Sequence, residues 1–266
     1  MWSRRIGRRL LNDISHVLSF DMAVLISKQL LEAQGFGAGG AIHSSGELGV
    51  FNLVKAGTPV LFDVGGHVGE YTDEFLKRFP RGRSCIFEPS ASHLALLRQR
   101  LGGRPEVQIF PVGLGAEPDQ LPLYKDQNIS GLASLSQRRL EYLGIKMEQV
   151  ETVTISTVDM IIEETGLTTI DLLKIDVEGH DLAVLRGASK AMARGIVKLV
   201  QFEFGGCNLD SHTNLQDFYY FFKTCDFVIG LVQPSNRIRL IERYDEFYEQ
   251  YRTTNLVAAP RAVLAG

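Results

Sequence analysis

Four apolar runs of this chain end in a carboxylate. They are Val60-Leu61-Phe62-Asp63, Ser84-Cys85-Ile86-Phe87-Glu88, Leu172-Leu173-Lys174-Ile175-Asp176 and Val197 to Glu203. A carboxylate in such a place can accept ribose hydroxyls, face an ammonium group or take the proton of a reacting hydroxyl. The third run adds Glu178 and His180 within four residues of Asp176. Three ionisable groups at one strand tip are expensive to bury without a purpose, and a histidine titrates near neutral pH. The first run continues as Asp63-Val64-Gly65-Gly66-His67-Val68-Gly69-Glu70-Tyr71-Thr72. Gly65 and Gly66 permit a tight turn that a ligand can approach, and Gly69 lets the next helix start close to the strand. The turn then offers backbone N–H groups and a helix N-terminus to whatever sits above it. Its spacing, G-x-x-x-G behind an acid, departs from the G-x-G-x-x-G of dinucleotide sites. Glu88 follows Asp63 by twenty-five residues, close to where a nucleotide-binding α/β unit places its ribose-binding carboxylate.

These tips require strands, and the strands alternate with helical stripes. Tyr71, Phe75, Leu76 and Phe79 follow the first run, and Leu94, Leu97 and Leu101 follow the second. Val107 to Leu114 reads as a third strand running into a loop. Residues 115–155 break the alternation and read as two β-segments, around Leu121–Tyr124 and Val150–Ile155, with a polar loop between them. Thr157 to Glu164 is helical, with Thr157 or Ser156 as N-cap. Asp181 to Gly187 is a short helix. Phe218 and Phe222 mark a further helix, and Phe227–Leu231, Arg237–Leu240 and Thr254–Ala258 are the closing sheet elements. The expected class is α/β, an open and mostly parallel sheet with helices on both faces. The acids then gather at the carboxyl edge, where such sheets bind ligands.

A chain of 266 residues holds one large α/β domain with a short appendage. The division expected is an N-terminal helical segment over 1–55 and the site-bearing domain over 56–266. In the first segment Leu10, Leu11, Ile14, Val17, Leu18, Val24, Leu25, Leu30 and Leu31 recur at helical spacing, and a glycine-rich hinge follows at 34–40. The segment reads as a lid or dimer arm, and its Arg4, Arg5, Arg8 and Arg9 as a solvated helix start or a contact with an anionic membrane surface. A net charge of −3 gives no basic field for nucleic acid. No run reaches the roughly 20 apolar residues of a transmembrane helix. Polar residues interrupt the N-terminus where a secretory leader needs an apolar stretch. Three dispersed cysteines read as reduced thiols, which suits a cytoplasmic protein.

The sequence resembles the FkbM-type S-adenosylmethionine-dependent methyltransferases. The resemblance runs from about Val60 to Ala258 and is strongest in Asp63-Val64-Gly65-Gly66-His67-Val68-Gly69, Phe87-Glu88-Pro89, Asp171-Leu172-Leu173-Lys174-Ile175-Asp176-Val177-Glu178-Gly179-His180 and Leu185-Arg186-Gly187-Ala188. The family usually has Asn where this chain has His67. The resemblance implies the Rossmann-like class I methyltransferase fold, with six parallel strands and a seventh antiparallel one. It implies that Gly65, Gly66, His67 and Gly69 line the methionine part of S-adenosylmethionine, with Tyr71 and Thr72 near its carboxylate. Glu88 would hold the ribose hydroxyls, Pro89 and Ser90 would flank the adenine, and Gly113 and Leu114 would meet the adenine edge. Asp63 belongs to the same cofactor site. Asp176 would face the amino group and the reacting centre, and Glu178 would support the turn.

Family members methylate hydroxyls of sugars and polyketide-like compounds, so the expected partner is a small hydroxyl acceptor. A general base helps such a weak nucleophile. His180 is the first candidate and Asp176 the second. Glu203, Asp210 and His212 offer ligands for a divalent metal near Asp176, although they also suit a solvated loop. An NAD-dependent oxidoreductase and a non-catalytic binding protein are the competing readings, and a homodimer is the default association.

Overall fold

The computed structural model describes residues 18–264. Arg4, Arg5, Arg8 and Arg9, with Leu10, Leu11, Ile14 and Val17, lie outside the described residues. Helix α1 (Phe20–Ala33) starts at Ser19, whose Oγ accepts the Met22 N–H. Phe20, Leu25 and Leu30 on it are exposed. The chain then enters the main body: Phe36 is buried in the principal core, and Gly39 donates its N–H to the Thr253 carbonyl. A 3-10 turn (Glu47–Leu53) packs Val50 and Phe51 with Leu61, Tyr71 and Phe75. Residues 36–54 thus share the core of the domain that follows.

That domain is built from β1 (Val60–Val64), α2 (Glu70–Arg78), β2 (Arg83–Phe87), α3 (Ala91–Leu101) and β3 (Val107–Phe110), then β4 (Gly113–Leu114), β5 (Asp119–Lys125) and β6 (Gln149–Ser156). Helix α4 (Val158–Thr165), β7 (Leu172–Ile175), α5 (Asp181–Arg186), α6 (Ser189–Ala193), β8 (Val200–Phe204) and α7 (Cys207–Asp210) follow. The chain closes with α8 (Leu215–Thr224), β9 (Phe227–Val232), β10 (Ile238–Ile241), β11 (Thr254–Pro260) and α9 (Arg261–Leu264). The large sheet has eight strands in the order β10-β9-β11-β8-β7-β1-β2-β3. β1, β2, β3, β7 and β8 are mutually parallel, and β11 runs antiparallel to both β8 and β9. This is the expected doubly wound α/β class. The seven strands gain an eighth because β10 pairs antiparallel with β9 at the edge.

Alternation along the strands sends side chains to two cores. Val60, Phe62 and Val64 of β1 join the cluster containing Phe202, Leu185, Phe218 and Phe222, whereas Leu61 joins the cluster of Phe51, Tyr71 and Phe75. Both faces are therefore covered, as a parallel sheet requires.

The run read as one strand from Val107 to Leu114 is divided. β3 stops at Phe110, and after Pro111, which has no N–H for a ladder, Gly113–Leu114 pairs with β6 in a second sheet of order β4-β6-β5. The 115–155 insertion thus forms two strands with a loop between them. Thr157 caps α4, accepting the Met160 N–H.

Candidate active site

Strand register places the polar residues in rows across the carboxyl end of the sheet. Asp63 is level with Lys174, and Lys174 with Gln201. One step above, Asp176 and Glu203 follow the paired Ile175 and Phe202. Two adjoining cavities, of about 400 Å³ and about 270 Å³, open over these rows, sharing Gly65, His67 and Asp176 as lining. Among the described residues, no helix is long and apolar enough to cross a membrane.

The glycine turn is shaped by two requirements. Gly65 has φ +80°, and a Cβ there would come within 1.9 Å of the Asp176 carbonyl. Gly69, at φ +81°, caps α2, and a Cβ on it would strike Leu97 and Leu101 of α3. Its smallness thus serves helix–helix contact rather than the helix–strand contact expected. His67 occupies the left-handed region with φ 47°. That conformation is tolerated best by Asn, Asp and His among residues with a Cβ, which gives a physical reason for exchanging the family's Asn for His. The His67 ring stands edge-on to His93 at 4.5 Å, and its Nε2 is buried without a partner.

The larger cavity is bounded on one side by Phe87, Glu88, Pro89, Gly113 and Leu114. Glu88 is 4% exposed and already oriented: Oε2 accepts the His67 N–H and Oε1 the Ser90 N–H, both at 2.9 Å. Ser90 does not line the cavity; its backbone aims Glu88 instead. On the other side stand Asp176, Glu178, Glu203, Cys207 and Arg138. Arg138 Nη1 donates to Glu178 Oε2 at 2.6 Å, while Asp210 lies 3.9 Å from Arg138 Nε. Burial, then the neighbouring Asp176, pushes Glu178 up to about 8 despite Arg138. Desolvation in the cleft, followed by Asp176, Glu178 and Asp181, raises Glu203 well above the usual carboxylate range.

The smaller cavity is lined by Glu47, Asp63, Tyr71 and Lys174. Lys174 Nζ donates to Asp176 Oδ2 at 2.8 Å and lies 5.2 Å from the centre of the Tyr71 ring. Burial alone would lower the Lys174 ammonium; Asp176, Asp63 and Glu47 together hold it above its ordinary value. Tyr71 donates to Gln201 Oε1 at 2.6 Å, and Gln201 Nε2 donates to Glu47 Oε2 at 3.1 Å. Thr72 is fully buried behind the cavity and donates to Asp63 Oδ2 at 2.7 Å. Asp63 Oδ1 has no hydrogen-bond partner. A fully buried carboxylate on a cavity-lining residue, with one oxygen left unpaired, fits an incoming ammonium group, as the amino-acid end of S-adenosylmethionine provides.

Of the expected site residues, Asp63, Gly65, Gly66, His67, Tyr71, Glu88, Pro89, Gly113, Leu114 and Asp176 line one or both cavities, and Gly69, Thr72 and Ser90 stand behind them. Positive φ at Glu178 (50°) and Gly179 (100°) turns the chain, and His180 Nε2 comes within 3.1 Å of where a Cβ on Gly115 would stand. His180, expected as the first candidate for the base, lines neither cavity. The metal expectation has no support either. Among the described residues, no group of three or more His, Cys, Asp and Glu side chains could hold a metal ion, and Asp210 accepts the Arg139 N–H at 3.3 Å. Sequence reading missed Glu47, His93, Arg138 and Lys174. Only Lys174 carried a signal, a cation inside an otherwise apolar strand.

The family model described as the methyltransferase FkbM domain matches residues 63–229. The 2-O-methyltransferase NoeI of Sinorhizobium fredii is 23% identical over 154 residues, covering 54% of this chain and 63% of NoeI. Methyltransferase 1 of Beauveria bassiana is 26% identical over 142 residues, 48% of this chain and 57% of that protein. The chain thus spans less than two thirds of the length of these relatives. A solved FkbM methyltransferase from Methylobacillus flagellatus is 17% identical, with a TM-score of 0.49 over 78% of this chain and 45% of that one. The matched stretch, well over half of the 266 residues, runs from the Asp63 turn through the Asp176 and Glu203 tips, and the chain belongs to the FkbM methyltransferase family.

Proposed function

We propose that this protein is an S-adenosylmethionine-dependent O-methyltransferase acting on a hydroxyl of a sugar, a glycolipid or a polyketide-like small molecule. The observation that carries the reading is the row of carboxyls at neighbouring strand tips, Asp176 and Glu203, facing one cavity with Glu88 and the glycine turn. Glu88 would take the ribose hydroxyls on lone pairs left by its two backbone donors. Phe87, Pro89, Gly113 and Leu114 would hold the adenine. Asp63 and Asp176 would face the amino group, with Lys174 and Tyr71 beside the carboxylate. When bound, the cofactor supplies an electrophilic methyl group on a sulfonium.

The chain must then align an acceptor oxygen with that methyl and remove its proton. Asp176 and Glu203 line the cavity and would accept that proton on this reading. Desolvation raises Glu203 above the usual carboxylate range, so it would take the proton only in its ionised form.

The test is methyl transfer from S-adenosylmethionine labelled in its methyl group to a panel of sugars, glycolipids, polyols and aromatic hydroxyl compounds. Label in a methyl ether of one of them is expected. Transfer only to nitrogen or carbon acceptors would overturn the O-methylation reading.

A further inference from the structure

The strand connection after β5 reaches back over the cofactor cavity, and one histidine holds its tip. His93, on the first turn of α3, is 2% exposed. Its Nε2 accepts the backbone N–H of Ser130 at 3.2 Å, and its Nδ1 lies 3.3 Å from Glu88 Oε1. A ring nitrogen that accepts from an N–H carries no proton, so the ring proton of the neutral imidazole sits on Nδ1, the nitrogen beside Glu88 Oε1. The imidazole therefore spans the carboxylate assigned to the ribose and the backbone of the connecting loop.

The loop has a defined base and tip. Tyr124 and Ser134 exchange both backbone hydrogen bonds, closing residues 125–133 into a loop. Ser134 Oγ also donates to the Glu178 carbonyl at 2.7 Å, fixing the base to the turn that carries the acceptor-side acids. At the tip, Ser130 Oγ is bonded to Asp126 and accepts the Leu132 N–H at 3.1 Å, and Ser92 Oγ bonds the Asn128 carbonyl. Gly131, Leu132 and Ala133 then form part of the cavity wall. Ser130 is 1% exposed, so this residue of the tip is pressed against α3 while Gln127, Asn128, Ile129 and Gly131 around it stay exposed.

We infer that His93 is a positioning residue that docks the 126–133 loop as a lid on the ribose-binding carboxylate, so that cofactor engagement of Glu88 orders the wall of the acceptor cavity. The inference rests on the S-adenosylmethionine reading of the site. Ribose hydroxyls donating to Glu88 fix its carboxylate, the fixed carboxylate holds the His93 Nδ1–H, and the ring in turn presents Nε2 to Ser130. By linkage, the ordered lid strengthens cofactor binding by the same factor. The lid also walls the space where the acceptor stands, so the geometry favours cofactor binding before acceptor.

Hydrogen–deuterium exchange read at residues 126–133, with and without saturating S-adenosylhomocysteine, tests this in the wild type, His93→Phe and His93→Gln. The wild type is expected to exchange about tenfold more slowly in this segment when the nucleoside is bound. His93→Phe, which keeps a ring without nitrogens, is expected to bind S-adenosylhomocysteine within about tenfold of wild type yet lose the slowing. His93→Gln, with one donor and one acceptor, should recover part of it. Binding without slowing in the wild type, or full slowing in His93→Phe, overturns the lid assignment while leaving the cofactor site intact. The wild-type comparison decides alone if the Phe variant does not fold. Absence of S-adenosylhomocysteine binding to the wild type overturns both the lid and the reading it rests on.

Discussion

The His67 N–H donates to Glu88 Oε2 at 2.9 Å, tying the glycine turn after β1 to the tip of β2. Two residues twenty-one positions apart thus set one wall of the site together, because the left-handed backbone of His67 (φ 47°) directs that N–H outward from the turn. His67→Asn should preserve the fold and S-adenosylhomocysteine binding, since Asn enters the same backbone region. His67→Val should lose about 1–3 kcal/mol of stability through strain at a β-branched residue. Thermal unfolding of both variants checks the pair, and equal melting temperatures would contradict this account of the turn.

The proposed mechanism takes its base from the cavity rather than from the helix start. Glu203→Gln should lower kcat by about 10²-fold or more, the usual contribution of a general base, with S-adenosylhomocysteine affinity nearly unchanged. His180→Ala should leave kcat within about threefold, because the ring lines neither cavity. Steady-state kinetics on the acceptor found in the methyl-transfer screen decides between them.

Asp181 is 1% exposed and leaves Oδ1 unpaired, and burial, then Asp176, pushes it up to about 7. A carboxyl raised on folding contributes stability fully below its unfolded value near 4, and that contribution is lost as pH rises through its folded value. Asp181→Asn should therefore match wild type near pH 4 and exceed it above pH 8, by at most about 1.4 kcal/mol for each tenfold difference in proton affinity between the folded and unfolded chain. Chemical denaturation at the two pH values checks the sign. A variant less stable than wild type at pH 8 would contradict it.

Lys174 is the buried cation among Asp63, Asp176 and Glu47. Lys174→Met leaves these carboxyls without it and should cost about 3–5 kcal/mol. Adding Asp63→Asn should recover part of that loss, a non-additivity expected of groups in one network. Urea unfolding of the single and double variants measures it.

Local sequence made the rows of acids legible, because each lies at the end of a short apolar run whose pattern names a strand. The same locality made Glu88 and the Asp63 turn readable as parts of one cradle. Three features were hidden by distance along the chain or by conformation. Glu47 meets Gln201 across 154 positions, and Ser130 meets His93 across 37; no spacing rule joins such pairs. His180 follows two residues of positive φ, and a non-glycine residue in that region, Glu178, cannot be anticipated from composition. The division at Phe110 went unread, because the partner that takes Gly113–Leu114 is β6, more than forty residues later.

Calorimetric titration of the wild type and of Glu88→Gln with S-adenosylhomocysteine, alongside NAD, tests the central claim most directly. The account predicts one S-adenosylhomocysteine site per chain, an affinity at least about tenfold weaker in Glu88→Gln from the loss of charge-assisted hydrogen bonds to ribose, and no heat with NAD. NAD binding in place of S-adenosylhomocysteine, or an affinity indifferent to Glu88→Gln, would contradict it.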